Sequence, residues 1–228
     1  MPLILLLETA TDICSVGLCE GDNLLVLNES EKSFDHVAQI TKLIDQCMQE
    51  AGKKINELDA IAVSNGPGSY TALRVGTATA KGICYALNIP LIAIDTLQAL
   101  AWASAQEIEQ KALYCPMIDA RRMEVYTAVL DADQNYLQET EAHILSADSF
   151  QKWLTEGHQL VIGGNGAEKC KTILQKSNII YTDTVCSARY LVSFANRAYA
   201  TQNFEDLAYY APLYFKPPNI TTPKKNLL

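Results

Sequence analysis

The chain has 228 residues, 49% of them hydrophobic and 19% charged, an ordinary globular composition with room for one large domain or two small lobes. A formal charge of −8 argues against gripping nucleic acid unaided, because phosphate neutralisation supplies most of that affinity, but allows work on nucleic acid beside a basic partner. No run reaches the roughly 18 apolar residues of a membrane helix, the apolar start MPLILLLETATD lacks the basic residues of a signal peptide, and seven cysteines without a C-x-x-C pair fit reduced thiols in a cytoplasmic protein.

LILLLE (3–8), ICSVGLC (13–19) and NLLVLN (23–28) are short β-prone runs joined by tight connections. HVAQITKLIDQCMQEAG repeats apolar residues at three and four, through Val37, Ile40, Ile44, Cys47, Met48 and Ala51, which predicts one face of a helix. Ser33 or Asp35 can cap its start and Gly52 its end. A strand over 59–64, a helix from about Tyr70 to Leu87, a strand over 89–95 and the helical stretch TLQALAWASAQEIE follow.

The same order returns in the second half. Strands are expected over 113–119, 124–131 and 136–145, then helix DSFQKWLTE, strand QLVIG, helix AEKCKTILQKS, strand NIIYTD and helix SARYLVSFANRAYA. Two successive β-β-β-α-β-α-β-α units predict two similar α/β lobes, 1–108 and 109–228, each a sheet flanked by helices. The tail FKPPNITTPKKNLL has three prolines and no periodicity, so it is expected to be extended or loose.

Gly66-Pro67-Gly68-Ser69-Tyr70-Thr71 comes after an apolar strand and opens a helix, as phosphate-binding loops do. It matches neither G-x-x-x-x-G-K-[ST] nor G-x-G-x-x-G, so the residues alone favour a strand-to-helix turn capped by Ser69 or Thr71 over a phosphate site. On the helix behind it, Leu73, Gly76, Ala80, Ile83, Cys84 and Leu87 share one face, small at Gly76, Ala80 and Cys84, with Arg74 and Lys81 on a neighbouring stripe. That pattern suits a helix lying on its own sheet, and it also suits a docking surface for another chain.

At this motif the sequence resembles the bacterial TsaB (YeaZ) family. The signature runs from Gly66 to Thr71 with Leu73-Arg74 and Gly76. LETATDICSVGL resembles the family's opening hairpin, and Asp119-Ala120-Arg121 with Glu124-Val125-Tyr126 resembles its D-A-R…E-V-Y segment. Gly164-Asn165-Gly166-Ala167 and Ala211-Pro212-x-Tyr214 resemble its later landmarks, so the likeness spans nearly the whole chain. Ala72, Lys216 and Glu8 depart from the residues usual in the family.

The resemblance implies an actin-like ASKHA fold and a role in forming N6-threonylcarbamoyladenosine in tRNA, from a threonylcarbamoyl-adenylate donor. It implies an accessory subunit that pairs with a catalytic paralogue, TsaD, on which an ATPase, TsaE, acts. Partner contact is expected from the helices over about 35–51 and 70–87, through Val37, Ile40, Ile44, Met48, Leu73, Arg74, Gly76, Thr77, Ala80, Lys81 and Cys84. Alone, the chain is expected to form a homodimer through the same patch. No cofactor is expected in the isolated chain. ATP or ADP is expected only in the assembled complex, near Gly66–Thr71, Asp119 and Arg121, and tRNA contact only through that complex.

Catalysis by this chain is not expected. The catalytic paralogue's H-x-x-x-H metal pair falls here on Thr96 and Leu100, which cannot replace imidazoles. His36, His143 and His158 lie far apart, as capping or surface residues, so no metal site is expected. Ala10 puts a Cβ where a phosphate hairpin uses glycine, and Asp119 with Arg121 reads as a structural ion pair. Two other readings stay open: an independent actin-fold ATP-dependent enzyme, with Gly163-Gly164-Asn165-Gly166 its nearest adenosine pocket, and a metal-dependent glycoprotease.

Overall fold

The computed structural model describes residues 1–30, 35–108 and 112–216. Strands β1 (Leu3–Glu8), β2 (Ser15–Glu20) and β3 (Asn23–Glu29) form an antiparallel meander. Helix α1 (His36–Glu50), strand β4 (Ala60–Ser64), α2 (Tyr70–Leu87), β5 (Leu91–Ile94) and α3 (Thr96–Glu107) follow. The second half runs β6 (Leu113–Asp119), β7 (Glu124–Leu130), β8 (Tyr136–Ile144), α4 (Gln151–Thr155), β9 (Leu160–Gly163), α5 (Ala167–Lys171), β10 (Ile179–Tyr181) and α6 (Val192–Ala200).

The two sheets share one topology. The first is ordered β3-β2-β1-β4-β5 and the second β8-β7-β6-β9-β10, with β1/β4/β5 and β6/β9/β10 parallel. Parallel central strands need cover on both faces, which explains the unbroken apolar run of β1. Leu3, Leu5 and Leu7 pack with α1 and α2, while Ile4 and Leu6 pack with α6. Burying a side chain such as Leu5 or Leu6 stabilises the fold by about 1.5–3 kcal/mol. In the second sheet Cys115 and Met117 face α5, and Tyr114 and Ile118 face α3.

Packing crosses between the halves in both directions. Leu97, Leu100 and Ala101 of α3 join the core of the second sheet, whereas Phe194 and Ala195 of α6 return to the first. The junction at 109–111 and the tail at 217–228, expected to be extended, lie outside the described residues.

Three expected helices are clearly shorter in the structure. The one expected over 148–156 is helical only at Gln151–Thr155. The one expected over 167–177 ends at Lys171, where the Cys170 carbonyl accepts the N–H groups of both Ile173 and Leu174 and tightens the chain into a turn. SARYLVSFANRAYA divides into a 3-10 turn at Ala188–Leu191 and then α6. Among the described residues, no helix is long and apolar enough to cross a membrane.

Candidate functional site

The strand order brings two hairpins and two strand-to-helix loops to one cleft of about 590 Å³. From the first half come Ala10, Thr11 and Asp12 of the β1–β2 turn and Pro67 to Thr71 of the β4–α2 loop. From the second come Asp119 to Arg121 of the β6–β7 turn, with Tyr126 and Asn165. The chain returns at Leu213–Lys216 to form the remaining wall.

The glycine loop is held from three sides. Gly66, at φ +100°, donates its N–H to Thr96 Oγ1 at 3.1 Å, and its carbonyl accepts the Thr96 N–H at 3.1 Å. The Leu213 N–H reaches the Asn65 carbonyl at 2.8 Å, and the Ser69 N–H reaches the Ala10 carbonyl at 2.7 Å. A Cβ on Gly68 would sit 2.8 Å from the Cβ of Ala10, so this loop and the first hairpin are in contact and need glycine there. Ser69 occupies the N-cap of α2, but its hydroxyl makes no capping bond.

The carboxylates near the cleft are engaged within the chain. Glu8 is buried, and its Oε1 accepts the Ala10 N–H at 2.6 Å. Burial raises its carboxyl to about 7, opposed by hydrogen bonds from Ala10, Ser64 and Thr9. Asp119 Oδ1 accepts the Arg121 backbone N–H at 2.6 Å and Lys169 Nζ at 2.6 Å. The ion pair expected between Asp119 and Arg121 is therefore made with Lys169 instead: the hairpin turns back so that Arg121 presents its N–H. Lys216 pairs with Glu124 across the mouth.

Thr96 and Leu100 are both buried at the start of α3, one supporting the glycine loop and the other filling the second core. Among the described residues there is no group of three His, Cys, Asp or Glu that could hold a metal. His36, expected as a cap or surface residue, is buried at the start of α1, and burial lowers its pKa. His143 bridges Glu141 and Ser149 at 2.9 Å each, and His158 pairs with Glu156.

The loop residues expected at the site converge there, Pro67 to Thr71 with Asp119 and Arg121, and Gly66 is buried outside the cleft lining. The helix residues expected to meet a partner are placed otherwise. Ile40, Ile44, Met48, Leu73, Ala80 and Cys84 are buried in this chain, all but Leu73 in the core shared with the first sheet. Gly76 and Thr77 are also buried, with Gly76 against the Thr9 hydroxyl. The periodic apolar face met its own sheet, as the burial drive requires of an amphipathic helix. Only Val37 and Arg74 are openly exposed, and Lys81 is half-buried, its Nζ on the Tyr210 carbonyl at 2.9 Å. The exposed residues of the two helices include Val37, Ala38 and Thr41 on α1 and Ala78, Gly82 and Tyr85 on α2. The wall at Leu213–Lys216 carried no signal beyond the A-P-x-Y spacing, because its place depends on a chain return across the whole fold.

A duplicated α/β body with paired hairpins and glycine loops meeting at an interlobe cleft defines an actin-like ASKHA protein. Residues 30–221 match the family described as TsaD, tRNA N6-adenosine threonylcarbamoyltransferase. The chain belongs to that family, within its TsaB/YeaZ group. It is 37% identical over 123 residues to the tRNA threonylcarbamoyladenosine biosynthesis protein TsaB of Haemophilus influenzae, a match covering 54% of this chain and 51% of that one. The chain thus spans about half the length of that relative. With the TsaB of Escherichia coli it shares 26% over 183 residues, 79% of this chain and 78% of the other. The solved structure of YeaZ from Pseudomonas aeruginosa superposes with a TM-score of 0.82 at 23% identity, covering 94% of this chain and 100% of that one, a likeness of fold.

Proposed function

We propose that this chain is a non-catalytic partner subunit in forming N6-threonylcarbamoyladenosine in tRNA, and that it pairs with a threonylcarbamoyltransferase of its own fold. The names of its relatives supply the pathway. The observation that carries the accessory role is the state of the cleft's carboxylates: Glu8 is buried on the Ala10 N–H, and Asp119 is held by Lys169. Glu8 is closed off from solvent, and Asp119, although exposed, has its Oδ1 occupied by Lys169 and the Arg121 N–H. On this reading ATP or ADP is met only in the assembled complex, where a TsaE-type ATPase acts, and the chain works in the cytoplasm.

The pairing face on this reading is the exposed side of α1 and α2. Val37 and Tyr85 are 73% and 83% exposed, and Ala78 and Gly82 let a second helix approach closely. Without its partner the same face joins two copies of the chain around a two-fold axis.

Reconstitution tests the proposal. Synthase, transferase, ATPase and tRNA are combined with and without this chain, and the modified nucleoside is measured. Product should require the chain, and the chain alone should neither make product nor turn over ATP. ATP hydrolysis by the isolated chain, lost in Asp119→Ala, points to an enzyme instead.

A further inference from the structure

At the cleft mouth, three large side chains, Leu213, Tyr214 and Phe215, remain 37–48% exposed. Arginines lie among them. The Arg74 guanidinium sits 4.2 Å from the Tyr70 ring centroid and 5.8 Å from that of Tyr214, and its Nε donates to the Tyr214 hydroxyl at 3.3 Å. Arg121 and Arg122 are exposed at the tip of the β6–β7 turn. Among the described residues, none of the three arginines makes an ion pair with a carboxylate.

Charge at the mouth runs against that of the chain. Of the charged residues lining the cleft, Arg121 and Lys216 balance Asp12 and Asp119, and the exposed Arg122 and Arg74 add two cations at its edge, in a chain of net −8. The turn also costs free energy. Arg121 and Arg122 have φ of +72° and +48°, where a non-glycine residue costs about 1–3 kcal/mol. Strain retained under two unpaired arginines, next to exposed rings, calls for a ligand that is both anionic and planar.

From this we infer that the cleft mouth is a contact site for an unpaired RNA strand, with phosphates on Arg121 and Arg122 and bases stacked on Tyr214 and Phe215. Single-stranded RNA offers flat base faces to aromatic rings and guanidinium planes, which a duplex withholds. That the strand belongs to tRNA rests on the proposed function; the contact itself rests on the residues of the mouth.

The test is fluorescence anisotropy with the full chain across a salt series, using a labelled stem-loop RNA, a blunt RNA duplex of equal length and a polyglutamate peptide. The stem-loop should bind more tightly than the duplex and weaken linearly on a log–log salt plot. Arg121→Glu with Arg122→Glu should lose affinity about tenfold or more and flatten the slope by about 1.4, two phosphates at about 0.7 each. Lysine at both positions should keep the slope. Tyr214→Leu with Phe215→Ala should abolish the preference for the loop and leave the slope unchanged. Thermal melting confirms that each variant is folded. Unchanged binding by the charge-reversed variant, equal binding of loop and duplex, or polyglutamate competing as well as RNA each overturns the inference. Pairing with the transferase, measured on the same samples, should persist. Failure of the wild-type chain to pair refutes the proposed function and leaves the RNA contact standing.

Discussion

Gly66 and Gly164 take nearly the same positive φ in the two halves of the molecule, +100° and +103°. Each follows the second parallel strand of its sheet and turns the chain toward a helix at the cleft. A Cβ at Gly66 would lie 2.8 Å from the Leu213 carbonyl, and one at Gly164 would meet the Met117 carbonyl and, at 2.6 Å, Leu100 Cδ2. The duplication reaches the backbone of the site even though the side chains of the halves have diverged.

Alanine at either glycine should therefore destabilise the chain by about 2–3 kcal/mol, from the strained φ and the backbone contact together. Urea unfolding measures it. A loss below about 0.5 kcal/mol, the size of an ordinary surface substitution, would show that the loops relax freely.

Glu8 should make stability depend on pH. Its carboxyl is raised by burial from 4.5 to about 7, so across that window the folded chain keeps a proton that the unfolded chain has released. The folded state binds more protons, and stability falls as pH rises from 4.5 to about 7, by about 3 kcal/mol in all. Glutamine can still accept the Ala10 N–H but cannot ionise. Glu8→Gln should gain on the wild type as pH rises through the window, measured by denaturant unfolding at its two ends. Parallel pH curves for the two proteins would refute the assignment.

The segment Leu213–Lys216 ties the lobes together. Leu213 and Tyr214 hold the first half through Asn65 and Tyr70, and Phe215 and Lys216 hold the second through Tyr126 and Glu124. Lys216→Glu places two carboxylates together and should release the end of the segment. Faster amide exchange over 213–216 is the expected signal, with a cost of about 1 kcal/mol or less, because the lost pair is partly solvated. Unchanged exchange would mean that the aromatic contacts alone hold it.

Much of this architecture was legible because it rests on local periodicity. Alternating strands and three-four helices read correctly wherever apolar residues recur over a full element, as in β1 and α2, whose bounds match the expected ones. The loop residues of the cleft were legible too, since Gly66 and Gly68 are required by backbone geometry. What periodicity cannot supply is the identity of the neighbour. The apolar stripe Leu73–Ala80–Cys84 is the same stripe whether it meets its own sheet or another chain. Likewise, Asp119 near Arg121 in sequence gave no sign that Lys169 would arrive from α5. The short α5 escaped because its end is set by a tight turn at Cys170 rather than by glycine or proline.

Two neighbouring positions on α2 separate folding from pairing. Ala80 is 0% exposed between α2 and the first sheet, and an arginine there buries a charge and overfills a packed core. Ala80→Arg should cost more than about 4 kcal/mol and leave little folded protein, so loss of partner binding in that variant reports on stability. Gly82 is exposed, and a Cβ there has no neighbour within 4 Å. Replacing it by arginine should stabilise the helix by up to about 1 kcal/mol, since glycine is a poor helix former. On the proposed reading the same side chain projects from the pairing face, so Gly82→Arg should abolish pairing with the transferase and self-association while the melting temperature holds or rises. Sedimentation with and without the transferase reads both effects at once. A folded Gly82→Arg chain that still pairs tightly would move the interface off this face.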